Sequence, residues 1–152
     1  EALRAMEKGT ADGTVPAGGS NAQAMQDAKD ALAADRKSLP VDEKTAAKNP
    51  KGELDVKIAL GYYSLGDWAK ALEIAERGLG KGGVKRVDDA ELLAGSALVE
   101  LGRYADAKAA FARAAAAAAP GSYMGRLAGL WSAYVDRLAP AAPAAPAAAP
   151  TT

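Results

Sequence analysis

Residues 65–75 read LGDWAKALEIA, and residues 101–111, 36 positions later, read LGRYADAKAAF. In each segment a glycine precedes an aromatic residue by two positions, and small apolar residues follow at helical intervals. A turn that requires positive φ favours glycine, so Gly66 and Gly102 mark points where one helix ends and the next begins. The repeated segment therefore predicts two successive helix-turn-helix units.

Apolar residues recur at intervals of three and four through most of the chain, which places them on one face of a helix. The stripes that surround the repeated segments begin at Leu54, Trp68, Leu93, Tyr104 and Met124. An earlier helix is predicted over residues 21–35. No segment alternates between apolar and polar residues as a half-buried strand would, so the predicted fold class is all-α.

Two short motifs bear on the helix boundaries. Asp88 stands three residues before Glu91, which is the spacing of a capping box at the start of a helix. The glycine cluster GLGKGG at 78–83 is expected to end the helix that begins at Trp68. A phosphate-binding loop would need a preceding strand and a Ser or Thr after its lysine, whereas Gly82 follows the lysine here.

The two units resemble tetratricopeptide repeats, which are helix-turn-helix units of about 34 residues. The string LAG at 93–95 returns at 127–129, and residues 127–138 begin a third unit that has only its first helix. In that family, small residues stand where two antiparallel helices cross. The matching positions are Ala59, Ala71 and Gly78 in the first unit and Gly95, Ala107 and Ala114 in the second.

The resemblance implies a short α-solenoid of stacked antiparallel helix pairs with degenerate repeats, and it is best over residues 52–138. Asp55 and Glu91 depart from the family pattern, which favours Trp at both positions. Residues 1–51 are predicted to form one or more degenerate helical repeats that continue a longer chain, because EALRAMEKG at 1–9 resembles the second helix of a unit.

Residues 139–152 form an Ala/Pro-rich tail, which reads PAAPAAPAAAPTT from Pro140 onward. Proline at intervals of three and four favours an extended polyproline II backbone over a packed core. Two interpretations stay open for this tail. It is either a solvated extension or a strand that lies on a neighbouring surface.

Tetratricopeptide repeats bind polypeptide segments through first-helix residues that line a concave groove. The resemblance therefore implies a non-catalytic scaffold for protein–protein interactions, with an unidentified protein or peptide as its partner. Ordinary contacts between neighbouring helices are the alternative interpretation of the same positions. Carried over to this chain, the groove positions are Val56, Leu60, Tyr63, Leu92, Ser96, Val99, Arg126, Leu130 and Tyr134.

The last predicted helix suggests an alternative function. Tyr123, Leu130 and Tyr134 add apolar surface on a second side of this helix, so the tail, another copy or a partner is expected to cover them. A structural subunit that self-associates into a ring or filament through its tail or last helix is therefore the second hypothesis.

The composition argues against several other classes of function. The chain has no His and no Cys, so the commonest general base and the usual zinc ligands are both missing. We therefore predict no enzymatic activity, no cofactor and no metal site, and an enzyme remains a distant alternative. Nineteen basic and nineteen acidic residues give a net charge of zero, which favours neither nucleic acid nor an anionic membrane as partner.

The sequence also bears on membrane insertion and compartment. No run of about 18 apolar residues is present, so membrane insertion is not expected. The abundance of alanine and the Ala/Pro tail are typical of bacterial proteins from GC-rich genomes. The absence of cysteine, the Ala/Pro tail and the expected extension of the chain before Glu1 favour the periplasm or the cell exterior, with the cytoplasm as the alternative.

Overall fold

The computed structural model describes residues 2–16 and 18–138, and seven α-helices make up most of this part of the chain. It contains no strand, so the predicted all-α class is confirmed. The tail at 139–152 lies outside the described residues. The helices are α1 (Ala2–Ala11), α2 (Ser20–Lys48), α3 (Glu53–Ser64), α4 (Trp68–Lys81), α5 (Val87–Glu100), α6 (Tyr104–Ala117) and α7 (Tyr123–Leu138).

Each helix packs against the next one along the chain. Helix α3 also touches α5, and α5 touches α7. Three residues connect α3 to α4 and α5 to α6, so the chain must reverse direction within each pair. Gly66 and Gly102 lie in these connections with φ values of 80° and 71°, which confirms the predicted turns.

Helix α2 differs from the sequence-based expectation of a helix over 21–35. It continues without interruption to Lys48, with Pro40 in its interior, although proline has no backbone N–H to donate. Leu39 and Ala46, on either side of this proline, are buried. A Cβ atom on Gly61 would lie 2.7 Å from a Leu39 methyl group, so α2 and α3 are in close contact here. This packing outweighs the local preference of proline to end the helix.

The core consists largely of alanine, together with a few bulky side chains at the centre. Phe111 is fully buried, and its ring stacks on Trp131 of α7 with a centroid distance of 5.6 Å. A Cβ atom on Gly95 would approach this phenylalanine ring to 2.5 Å. Only glycine at this position lets the ring of α6 lie directly against α5.

The second LAG string is not equivalent to the first in its packing. A Cβ atom built on Gly129 would meet nothing within 4 Å, whereas the one on Gly95 would meet a buried ring. In the described part of the chain, no following helix packs on this side of α7 as α6 packs on α5.

The glycine cluster at 78–83 ends a helix as expected, but two of its glycines lie inside the helix. Helix α4 continues to Lys81, and Gly82 follows with φ 71°. Gly78 is buried, and its backbone touches the backbone of Gly52 at the start of α3. Gly80, by contrast, is exposed and faces open space. The cluster therefore combines a helix stop with a close approach between α3 and α4.

Alanine substitutions two residues apart in α4 are expected to have opposite effects. The new Cβ atom in Gly78→Ala would lie 2.8 Å from the Gly52 carbonyl oxygen, so we expect destabilisation by about 1–3 kcal/mol. Gly80→Ala adds a better helix former in open space and should stabilise by about 0.5–1 kcal/mol. Urea unfolding followed by circular dichroism measures both free energies. Equal effects of the two substitutions would contradict the close contact between the helices.

Candidate functional site

A cavity of about 410 Å³ lies between helices α3 and α5. Its walls are mostly apolar. Leu60 of α3 lines the cavity and is 55% exposed. The structure brings together five of the nine positions that the tetratricopeptide resemblance implied. These five residues are Val56, Leu60, Tyr63, Leu92 and Ser96.

The other four predicted positions do not line this cavity. Val99 is partly buried against the hydrophobic core, and Arg126 donates through Nη1 to the carbonyl oxygen of Gly121 at 2.6 Å. Leu130 and Tyr134 line a separate, more open cavity of about 360 Å³ on α7. Five of the nine positions therefore share the α3–α5 cavity, two line the cavity on α7, and Val99 and Arg126 line neither of these cavities.

Charged residues at the rim of the α3–α5 cavity were not among the predicted positions. Lys57 and Asp89 each stand three residues before a predicted groove leucine, so helical periodicity could have indicated them. Arg86 donates through Nη2 to Asp89 Oδ1 at 2.9 Å. The Oε2 atom of Glu53 accepts a hydrogen bond from the backbone N–H of Lys85 at 2.9 Å. The cavity thus has an apolar floor and a rim in which both signs of charge occur.

The most buried acidic group among the described residues belongs to a cluster of ion pairs and hydrogen bonds that joins three helices. Asp55 on α3 has no solvent exposure. Its Oδ1 accepts from Nε of Arg77 at 2.8 Å, and its Oδ2 accepts from Nζ of Lys81 at 2.8 Å. The same Nζ donates to the carbonyl oxygen of Ala46 near the end of α2 at 2.8 Å. Both oxygens of the carboxylate are therefore engaged by cations of α4.

Glu43 on α2 extends this network. It accepts from the hydroxyl of Tyr62 at 3.0 Å and forms an ion pair with Nζ of Lys70 at 2.9 Å. Burial raises the pKa of Glu43, but the hydrogen bonds from Lys70 and Tyr62 lower it more, and the net pKa lies below its ordinary value. The hydrogen bond from Glu43 also contributes to raising the pKa of Tyr62, after burial, and is the largest cause of the raised pKa of Lys70.

A second buried carboxylate occurs 36 residues after the first. Glu91 on α5 accepts through Oε1 from Nε of Arg113 on α6 at 2.8 Å, as Asp55 accepts from Arg77. The predicted capping box is wrong, because Arg86 holds the N-cap position of α5 and Glu91 faces the neighbouring helix instead. The two positions at which the family pattern favours Trp therefore carry carboxylates that pair with the next helix.

The two ion pairs differ in one partner. Ala117 is the last residue of α6, as Lys81 is the last residue of α4, and each stands 26 positions after the buried carboxylate. Without a lysine at this place, Oε2 of Glu91 is buried and has no hydrogen-bond partner within residues 2–16 and 18–138. The second pair is therefore incomplete in comparison with the first.

We find no metal-binding cluster of three or more acidic, His or Cys residues in the described ranges. None of the helices there has the length and hydropathy needed to cross a membrane. Comparison with protein-family models, curated proteins and solved structures gave no match for this chain. The function must therefore be inferred from the geometry of the cavities and from the residues that line them.

Removal of the fully buried carboxylate should destabilise the protein strongly. Asp55→Ala removes the carboxylate that pairs with two partly buried cations, Arg77 and Lys81, and we expect a loss of about 3–5 kcal/mol. Asp106→Ala is the control, because Asp106 pairs with Arg103 at the surface and its side chain is 54% exposed. This substitution should cost at most about 1 kcal/mol. Urea unfolding measures both losses, and similar values would contradict a structural role for the buried pair.

A lysine substituted at the position in α6 that corresponds to Lys81 should stabilise the α5–α6 pair. In Ala117→Lys the new ammonium group can reach Oε2 of Glu91 as Lys81 reaches Asp55, so we expect a gain of about 1 kcal/mol. Ala116→Lys places the same charge one position earlier on the exposed surface and should have little effect. The gain should also disappear in a Glu91→Gln background. If thermal unfolding shows the same change for positions 116 and 117, the two units are not equivalent at this site.

Proposed function

We propose that this chain is a non-catalytic, tetratricopeptide-like scaffold that binds a polypeptide segment in the cavity between α3 and α5. The observation that carries this proposal is the exposure of Leu60 inside a cavity with apolar walls. An exposed leucine is ordinary by itself, but a concave apolar site formed by two helices is the usual setting of a ligand. The site offers apolar contact area, and its rim carboxylates Asp89 and Glu53 are already hydrogen-bonded to Arg86 and to the backbone of Lys85.

The arrangement of the helices supports the proposal. Helix α5 packs on α4 and also touches α3, and both α3 and α5 contribute to the same cavity. In solenoid proteins, such stacking produces an extended concave surface on which ligands bind. The first helix of each pair lines the cavity here, as it does in the repeats that the sequence resembles.

The chemistry of the cavity indicates the kind of segment that it accepts. Val56, Leu92 and Leu93 offer apolar contacts around Leu60. Burial of one leucine-sized side chain of a ligand contributes about 1.5–3 kcal/mol. The charged groups at the rim can orient polar backbone atoms of the same ligand. A short amphipathic segment, helical or extended, fits this combination.

Self-association is the second candidate function, and the surface of α7 favours it. Tyr123 and Leu130 are 66% and 69% exposed, and Tyr134 is 48% exposed. Large apolar side chains grouped on one helix are a typical contact site between proteins. A contact between this helix and a different surface of the next copy would generate a ring or a filament.

The peptide-binding proposal predicts that a charge at Leu60 weakens ligand affinity. Peptides would first be selected against the wild-type chain from a random 15-residue display library. Fluorescence anisotropy would then give the Kd of the best labelled peptide. We expect Leu60→Glu to weaken binding at least tenfold, because it places a carboxylate among apolar groups that the ligand would desolvate.

Val41→Glu is the matched control for this experiment. Val41 is 64% exposed on α2 and does not line the α3–α5 cavity, so the same substitution there should change Kd less than twofold. We avoid Val99→Glu because Val99 packs against the core. Failure to select any peptide, or equal weakening by both substitutions, would contradict the proposal.

A further inference from the structure

The surface of α7 contains a shallow cavity that the α3–α5 site does not use. It has a volume of about 360 Å³ and is lined by Leu127, Leu130, Trp131 and Tyr134. Trp131 and Tyr134 meet edge to face with a centroid distance of 5.7 Å. None of these four side chains carries a charge. The cavity is thus an uncharged surface with two aromatic rings.

Aromatic grooves of this kind suit a proline-rich ligand. Such grooves bind segments in the polyproline II conformation, because proline rings pack on aromatic faces and the ligand loses little entropy. The tail of this chain has a sequence that favours the same conformation. Residues 140–150 read PAAPAAPAAAP, contain no charged side chain and begin two positions after the end of α7.

The lengths of the two segments are compatible. From Leu138 back to Leu127, the helix extends over about 17 Å at 1.5 Å per residue. Eleven residues in the polyproline II conformation span about 34 Å at 3.1 Å per residue. The tail can therefore turn after α7 and still run the full length of the cavity.

We propose that residues 140–150 bind the α7 cavity of their own chain as a polyproline II strand and cover Leu130 and Tyr134. The covalent connection gives the tail a high effective concentration at the cavity, so weak contacts suffice. The bound tail would remove the exposed apolar surface of α7 from contact with other molecules. This inference is independent of the α3–α5 site and assigns a different role to the surface that favours self-association.

Paramagnetic NMR on the full chain tests the proposal directly. The chain has no cysteine, so Ala145→Cys provides a single site for a nitroxide spin label. We expect the amide signals of residues 127–134 to lose more than half of their intensity when the label is active. Reduction of the label restores the signals and gives the reference intensity.

Two variants, each with an exposed apolar residue replaced by Asp, distinguish docking of the tail from its mere proximity to the end of α7. Leu130→Asp places a charge in the cavity and should restore most of the lost intensity. Val41→Asp is similarly exposed but lies on α2, so the loss should remain. Pro143→Gly with Pro146→Gly keeps the length of the tail but removes its conformational preference, and should at least halve the broadening. Equal broadening in the Leu130→Asp and Val41→Asp chains would overturn the proposal.

A mixing experiment identifies the chain that supplies the tail. Isotope-labelled chain without cysteine is mixed with an equal amount of unlabelled, spin-labelled chain. If residues 127–134 keep their intensity in this mixture, the tail acts within its own molecule as proposed. Broadening of these residues to about half of the strength seen when every chain carries the label would mean that the tail of a second copy occupies the cavity, because half of the tails are spin-labelled, and would overturn docking within one chain.

Discussion

The buried carboxylate of Asp55 is the interaction on which the arrangement of α2, α3 and α4 depends. A carboxylate without solvent exposure is unfavourable unless cations and hydrogen bonds compensate for its lost hydration. Arg77 and Lys81 supply this compensation from α4. Because Lys81 also bonds to a carbonyl oxygen near the end of α2, one charge fixes the relative positions of three helices. An apolar residue at this position could contribute packing, but it could not select these partners.

Small residues determine how closely the paired helices approach one another. The backbones of Gly52 and Gly78 touch, and Gly95 receives the ring of Phe111. These contacts draw α4 onto α3 and α6 onto α5, while α3 and α5 touch each other less extensively. The space between these two first helices is the cavity that exposes Leu60. The same glycines thus allow close packing within the α3–α4 and α5–α6 pairs and leave the cavity open between α3 and α5.

Structural features that depend on local interactions could be predicted from the sequence, whereas features that depend on contacts between distant residues could not. The helices from α3 to α7 and the turns at Gly66 and Gly102 follow from apolar spacing and from glycine. The continuous α2 could not be predicted, since burial of Leu39 against α3 outweighs the preference of Pro40. The spacing between Asp88 and Glu91 suggests a capping box, but the actual partner of Glu91 is Arg113, 22 residues away, which local spacing cannot indicate. For the same reason, apolar spacing alone could not separate the groove positions on α3 and α5 from those on α7.

Helices α5 and α7 share a pattern of small and apolar residues, but one side of α7 is exposed where the same side of α5 is covered. Its buried side, with Ala128 and Val135, packs on preceding helices in the same way as the corresponding side of α5. On α5, residues such as Gly95 then face α6, and this contact completes the pair. On α7 no following helix occupies that place within the described residues, and Gly129 faces open space. Within the described residues, the apolar side chains of Leu130 and Tyr134 therefore remain accessible. An uncharged segment whose sequence favours the polyproline II conformation can cover such a surface with little loss of conformational entropy, whereas a new helix would have to fold first.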